Sequence, residues 1–175
     1  MIVGILSDTH GRIPGTSAAL AALRQAGAEY YIHCGDVGAE PILDLMAGLP
    51  LVFVWGNTDY DQEELSRYAR KIGLDCRGEL ADLELDGRRI AVTHGDRTDI
   101  LRQIVTGRKH EFILHGHTHV ARDQVLSGIR YINPGAVHRS PRPSVAVLDT
   151  QSQAVRFIPI TTSDGRREER TETDD

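Results

Sequence analysis

The sequence is short of several things that would each have organised it. It holds two cysteines, Cys34 and Cys76, without CxxC spacing, so neither a disulfide framework nor a thiolate zinc site is expected, and a reducing compartment is. Aromatic residues make up 5% of the chain, which leaves the core to aliphatic and β-branched side chains. No run approaches the ~18 apolar residues of a membrane span, and Asp8 interrupts the N-terminal apolar stretch before it could serve as a signal sequence. A cytoplasmic location without a membrane partner follows as the expectation. Excess positive charge is missing too: 20 Lys+Arg against 25 Asp+Glu give a net charge of −5, so there is no strong signal for nucleic acid. GxSxG, P-loop, GxGxxG and HxHxDH motifs are all absent.

What is present reads as one domain. A length of 175 residues with 40% hydrophobic and 26% charged content matches one compact unit able to bury roughly 70% of its extended-chain surface. Short apolar, β-branched runs, MIVGILS, EYYIHCG, LVFVWG, RRIAVTHG and EFILHG, read as strands buried on both faces. Between them, Ser17 to Ala26, Pro41 to Ala47, Gln62 to Lys71 and Asp99 to Thr106 have helical patterns. Asp61 with Glu64 predicts a capping box, and Asp86-Gly87 predicts a two-residue hairpin. From Ala121 onward the pattern turns to short strands at Asp123 to Leu126, Ile129 to Ile132, Ser144 to Leu148 and Ala154 to Ile160. Two packed sheets with outer helices are the expected architecture. The domain is placed at residues 1–162. Residues 163–175 carry three Arg, six Asp/Glu and no apolar side chain, the composition of a disordered acidic tail.

Polar residues with metal-ligand chemistry follow each of the five buried strands: Asp8 and His10, Asp36, Asn57, His94, then His117 and His119. Ligands of α/β sheets bind outside the carboxyl ends of the strands, so one shared site is the economical reading. In extended chain, residues i and i+2 point to one side, which predicts that Asp8 pairs with His10 and His117 with His119. The mixture of imidazole, carboxylate and amide suits Mn, Fe or Zn better than an all-oxygen Mg cage. Seven ligands exceed what one tetrahedral ion uses, so two ions fit the number.

The ordered series DTH, GD, GN, HG and GHTH, with LSDTHG, GNTD and INPG, resembles the calcineurin-like metallophosphoesterases, in particular the compact bacterial and archaeal phosphodiesterases of YfcE type. The resemblance covers about residues 1 to 150 and implies a four-layer αββα sandwich of two mixed sheets flanked by helices. It makes Asp8, His10, Asp36 and His119 ligands of one divalent ion, and Asp36, Asn57, His94 and His117 ligands of the other, with Asp36 bridging. Manganese is the expected ion, with iron, nickel or zinc as alternatives. Asp36, Asn57 and His94 take the catalytic roles.

The implied activity is hydrolysis of a small-molecule phosphodiester by in-line attack of a metal-bridging hydroxide. The ions outweigh Asp8, Asp36 and a hydroxide by a single positive charge, which suits a singly charged diester. Hydrolysis of phosphomonoesters or cyclic nucleotides on the same site stays open, as does a non-catalytic scaffold of the retromer-subunit type and a homodimer or homotetramer. Thr58 stands in GNTD where many members have a histidine thought to protonate the leaving group. Threonine is a poor general acid, and His115 and Asp59 are the next candidates.

The remaining groups have plainer readings. His33 is expected to pack at a strand end, His110 to be exposed and His115 to stand behind the ligands. His138, Arg139 and Arg142 read as a solvated basic loop, with the substrate entrance as their alternative role, and Cys34 as an inert packed thiol.

Overall fold

The computed structural model describes residues 1–161; the expected acidic tail lies outside them. In chain order the elements are β1 (Ile2–Leu6), α1 (Ile13–Gln25), β2 (Tyr30–His33), α2 (Glu40–Met46), β3 (Leu51–Phe53), α3 (Gln62–Lys71), β4 (Asp75–Cys76), β5 (Leu80–Leu85), β6 (Arg88–Thr93), α4 (Thr98–Gly107), β7 (Phe112–Leu114), β8 (Arg122–Leu126), β9 (Ile129–Asn133), β10 (Ser144–Asp149) and β11 (Val155–Pro159). They form a six-stranded sheet in the order β11-β10-β1-β2-β3-β4 and a five-stranded sheet in the order β5-β6-β7-β9-β8. β1 to β4 run parallel in the first sheet, and β6, β7 and β9 run parallel in the second.

The pleat explains the layers. Val3, Ile5, Ile32, Val52 and Val54 of the first sheet meet Ile90, Val92, Phe112 and Leu114 of the second in one buried cluster. Alternate residues of the same strands, Leu6, Tyr31, Leu51 and Phe53, face the other way onto Leu20, Leu23, Ile42, Leu43 and Leu65 of α1, α2 and α3. Ala91 and Ile113 face Ile100 and Ile104 of α4. A strand of period two between two apolar layers must be apolar on both faces, so the unbroken runs give an αββα sandwich.

Local chemistry sets the ends. β5 and β6 pair from Leu85↔Arg88 around Asp86 (φ 50°) and Gly87 (φ 73°), the two left-handed residues of a type I′ turn. α1 begins four residues before the expected Ser17 because Pro14 fits its first turn, where no N–H is needed. Asp61 does flank α3, but its side chain makes no cap hydrogen bond, so the capping box is corrected. Glu63 and Glu64 remain in the first turn, where they complement the helix dipole. β4 escaped the periodicity because two residues carry no period; only pairing with Val52 and Phe53 defines it.

Phe112 is buried between the sheets, and its truncation leaves a cavity that neither rigid sheet can close. Phe112→Ala is expected to lower unfolding free energy by about 3–5 kcal/mol in a urea titration at unchanged m value.

Candidate functional site

Because β1, β2 and β3 run parallel in one sheet and β6 and β7 in the other, the loops after them collect along one edge of the sandwich. Main-chain bonds fasten them together: Asp8 N–H donates to Gly35 O (3.0 Å), His10 N–H to Asp36 O (2.9 Å), Gly116 N–H to His94 O (2.9 Å) and His138 N–H to Asp8 O (3.1 Å). Two glycines are required by this closeness. A Cβ on Gly35 would lie 2.7 Å from His94 Nδ1, and one on Gly116 would overlap Ser7 Oγ and lie 2.7 Å from Asp8 Oδ2.

All seven residues singled out from the sequence meet here. Ligand atoms of Asp8, His10 and His119 lie within 4.8 Å of one another, and so do those of Asp8, Asp36 and His94. Asn57 Oδ1 is 3.1 Å from His94 Nε2 and 3.1 Å from His117 Nδ1. Asp36 Oδ2 stands 3.7 Å from His10 Nε2 and 3.4 Å from His94 Nε2, while Asp8 is the residue shared by both close groups.

The reason expected for this convergence needs correction. Asp8, His10, Asp36, His117 and His119 have φ between 45° and 67°, so the loops are left-handed rather than extended and i, i+2 alternation does not apply. His117 and His119 accordingly diverge, the first to Asn57 and the second to Asp8, 3.2 Å away. Such backbone costs a non-glycine residue about 1–3 kcal/mol and persists only where surrounding contacts over-determine it.

Tautomers follow from the partners. His94 Nδ1 is 2.8 Å from Cys34 O and His119 Nδ1 is 3.0 Å from Arg139 O. A carbonyl only accepts, so each Nδ1 carries a proton and each neutral ring turns an Nε2 lone pair inward. Those lone pairs meet further acceptors: Asn57 Oδ1 and Asp36 Oδ2 beside His94, Asp8 Oδ1 beside His119. Asp8 is fully buried, and neither of its oxygens has a hydrogen-bond partner. Acceptors facing acceptors need positive charge between them, and the mixed N/O donor set fits divalent ions of the Mn, Fe or Zn kind.

Titration directions express the same demand. Burial pushes the Asp8 carboxyl up. Burial also acts on Asp36, but bonds from His94 and the Thr58 N–H hold it well below the carboxylate range. Burial would lower His94, yet the Asp36 bond and the Asp36 and Asp8 charges raise it to about 9. Burial lowers His10 to about 4, with the Asp36 charge opposing and Arg139 assisting.

Several neighbours position the ligands. Asp59, reached in the sequence only as a possible acid, accepts from Gly38 N–H (2.8 Å), Gly56 N–H (2.9 Å) and Val37 N–H (3.2 Å), tying the Asp36 loop to the Asn57 loop. Asn133 of INPG donates to Gly116 O (2.7 Å) and Thr118 Oγ1 (3.0 Å), holding the turn that carries His117 and His119. Buried His33 accepts from Gly35 N–H (3.2 Å) and lies 2.9 Å from Thr9 Oγ1; burial holds it neutral, at about 3. Cys34 is buried, which pushes its thiol up, as expected for an inert group.

A cavity of about 250 Å³ borders the cluster, lined by His10, Gly38, Thr58, Tyr60 and Arg139. Neither Asp59 nor His115 lines it; His115 Nδ1 lies beside Gly116 O at 3.2 Å. Arg139 therefore stands at the site, whereas Arg142 lines a separate apolar groove with Pro141 and Phe157. His110 is not exposed as expected. Its side chain is 8% accessible and reaches Asp82 at 3.0 Å.

The model of the calcineurin-like phosphoesterase superfamily domain matches residues 1–153. The chain is 25% identical over 163 residues to a phosphodiesterase of Methanocaldococcus jannaschii, covering 90% of this chain and 98% of that one. It is 32% identical over 171 residues to a probable metallophosphoesterase of Bacillus subtilis, covering 90% of each. An archaeal phosphodiesterase structure superposes with a TM-score of 0.83 at 24% identity, over 91% of this chain and all of that one. Vps29 of Entamoeba histolytica in complex with zinc superposes with a TM-score of 0.64 at 18% identity, over 91% and 98%.

The raised and lowered histidines bracket the stability of metal-free protein. His94, raised from 6.5 to about 9, contributes stability below pH 6.5 that is lost as pH rises through about 9. His10 and His33, lowered to about 4 and 3, stay neutral in the fold while the unfolded chain binds protons below 6.5, so stability also falls on the acid side. The Tm of EDTA-treated protein is expected to peak near pH 6.5, and His94→Gln to flatten the alkaline limb; an equally steep limb in the variant would contradict the assignment.

Proposed function

The chain belongs to the calcineurin-like phosphoesterase superfamily, and on that premise we propose that it is a two-metal phosphodiesterase acting on small phosphodiesters. The observation that carries the reading is the set of inward acceptors around Asp8, a buried carboxylate whose oxygens are under-supplied with hydrogen-bond donors among the described residues. The likeness to Vps29 is one of fold, and fold does not decide function.

In this reading Asp8, His10, Asp36 and His119 hold one ion and Asp36, Asn57, His94 and His117 the other. Asp36, which stands between the His10 and His94 rings, would be the residue shared by both ions. The donor set favours manganese, with iron, nickel or zinc as alternatives. Divalent ions bound there supply Lewis-acid charge and a water that is acidic near neutral pH. The residues supply position: Cys34 O and Arg139 O lock the His94 and His119 rings, as partners behind metal-binding histidines do, and the Thr58 N–H (3.0 Å from Asp36 Oδ1) orients the shared carboxylate. A metal bound at His94 Nε2 would compete with a proton there. Two free cysteines support a reducing, cytoplasmic setting, and no helix among the described residues is long and apolar enough to cross a membrane.

Thr58, which lines the cavity, is a poor proton donor. Thr58 Oγ1 lies 3.4 Å from His10 Nδ1, and the carboxylate of Asp59 is fully occupied by backbone N–H groups. With threonine at that position, the quality of the leaving group governs the rate.

Purified protein loaded with Mn²⁺ and given matched aryl phosphomonoesters and diesters tests the reading. Hydrolysis of the diester is expected, with kcat/KM reduced by about 10²–10³-fold in Asp36→Asn. Equal rates in wild type and variant would remove the bridging role; turnover of the monoester alone would shift the substrate class; no turnover with metal bound would favour the scaffold. Aryl diesters should exceed alkyl diesters of equal size by about 10²-fold or more in kcat, and similar values would show that another acid operates.

A further inference from the structure

Two groups at the rim of the site have no part in holding metal, and both face the cavity beside His10. Tyr60 is 85% exposed, more than Val125 at 65%. Its ring is carried on a stiff support, because Asp59 next to it is buried with three backbone hydrogen bonds and Thr58 is bonded through its N–H to Asp36. An aromatic ring held in water by a fastened loop is presented at low entropic cost.

Arg139 comes from the other side, in the loop between β9 and β10. Its φ of 55° is left-handed, and its carbonyl is fixed by His119 Nδ1 at 3.0 Å, so the main chain is bound to the metal-ligand cluster while the side chain is free to reach outward. Arg139 forms no ion pair among the described residues, unlike Arg77, Arg88, Arg97 and Arg130. Its cation is close enough to bear on His10. Thr58 lies between the two and contributes only a short side chain, leaving the space of about 250 Å³ open.

We propose that Tyr60 and Arg139 form a subsite for the non-reacting part of the substrate, selecting phosphodiesters that carry a planar aromatic group next to the scissile phosphate. The Tyr60 ring stacks on that group, and the Arg139 guanidinium meets a non-bridging phosphate oxygen. The inference rests on the phosphodiesterase reading and narrows its substrate class. It also fits a threonine rather than an acid at position 58, since aromatic alcohols depart more readily than alkyl ones.

The test separates binding from chemistry. With Mn²⁺-loaded protein, Tyr60→Ala is expected to raise KM about 10-fold for an aryl methyl phosphodiester, with kcat nearly unchanged and the inhibition constant of a dialkyl phosphodiester unaltered. Arg139→Gln should raise both constants about 10-fold, with bound manganese equal to wild type. An equal effect of Tyr60→Ala on aryl and alkyl esters, or none on either, overturns the subsite. Calorimetric binding of phenylphosphonate against methylphosphonate gives a readout independent of turnover. If the wild type hydrolyses no diester, the proposed activity fails and calorimetry alone judges the subsite: a phenyl preference lost in Tyr60→Ala sustains it, and no preference in the wild type overturns it.

Discussion

A buried cluster of acceptors with too few donors is the constraint from which the rest of this structure follows. Asp8 brings negative charge into the sandwich edge, where among the described residues Ser7 offsets only part of its burial. His94 and His119 have their Nδ1 protons drawn outward by carbonyls of Cys34 and Arg139, so their remaining lone pairs turn inward. Burying such a group without compensation costs several kcal/mol. A proton on His94 meets part of the demand, and a divalent cation would meet it more fully.

Holding that arrangement takes most of the loop architecture. Five candidate ligand residues sit in left-handed backbone, which each loop alone would relax. They are kept there by main-chain bonds between loops from different strands, by Asp59 across the Asp36 and Asn57 loops, and by Asn133 under the two terminal histidines. The cluster of apolar residues between the sheets fixes the strand ends from which the loops depart. Strain at the site thus coexists with a rigid core, the usual arrangement where geometry matters more than local stability.

The open side of the cluster is where chemistry meets specificity. Ligands come from both sheets, with Asp36 against His94 and Asp8 against His119, so the site exists only when the sheets are stacked. The cavity with Tyr60 and Arg139 is assembled the same way, one wall from the loop after β3 and the other from the loop after β9. A fold shared with Vps29 allows such an edge to be used differently; here the donor set and the neighbouring cation suit a phosphate ester.

The sequence by itself determined the buried strands, the four helices, the Asp86-Gly87 turn and all seven residues that meet at the site. Apolar runs report local burial, and polar residues just past strand ends report where a sheet presents ligands. The two-residue β4, the left-handed backbone at Asp8 and His10, the burial of His110, the loop-tying role of Asp59 and the rim positions of Tyr60 and Arg139 were decided only by tertiary structure. His119 finds Asp8 from 111 residues away, and Asp59 finds Gly38 from 21. Periodicity cannot specify such partners, because they depend on which strand ends the two stacked sheets bring to the same edge.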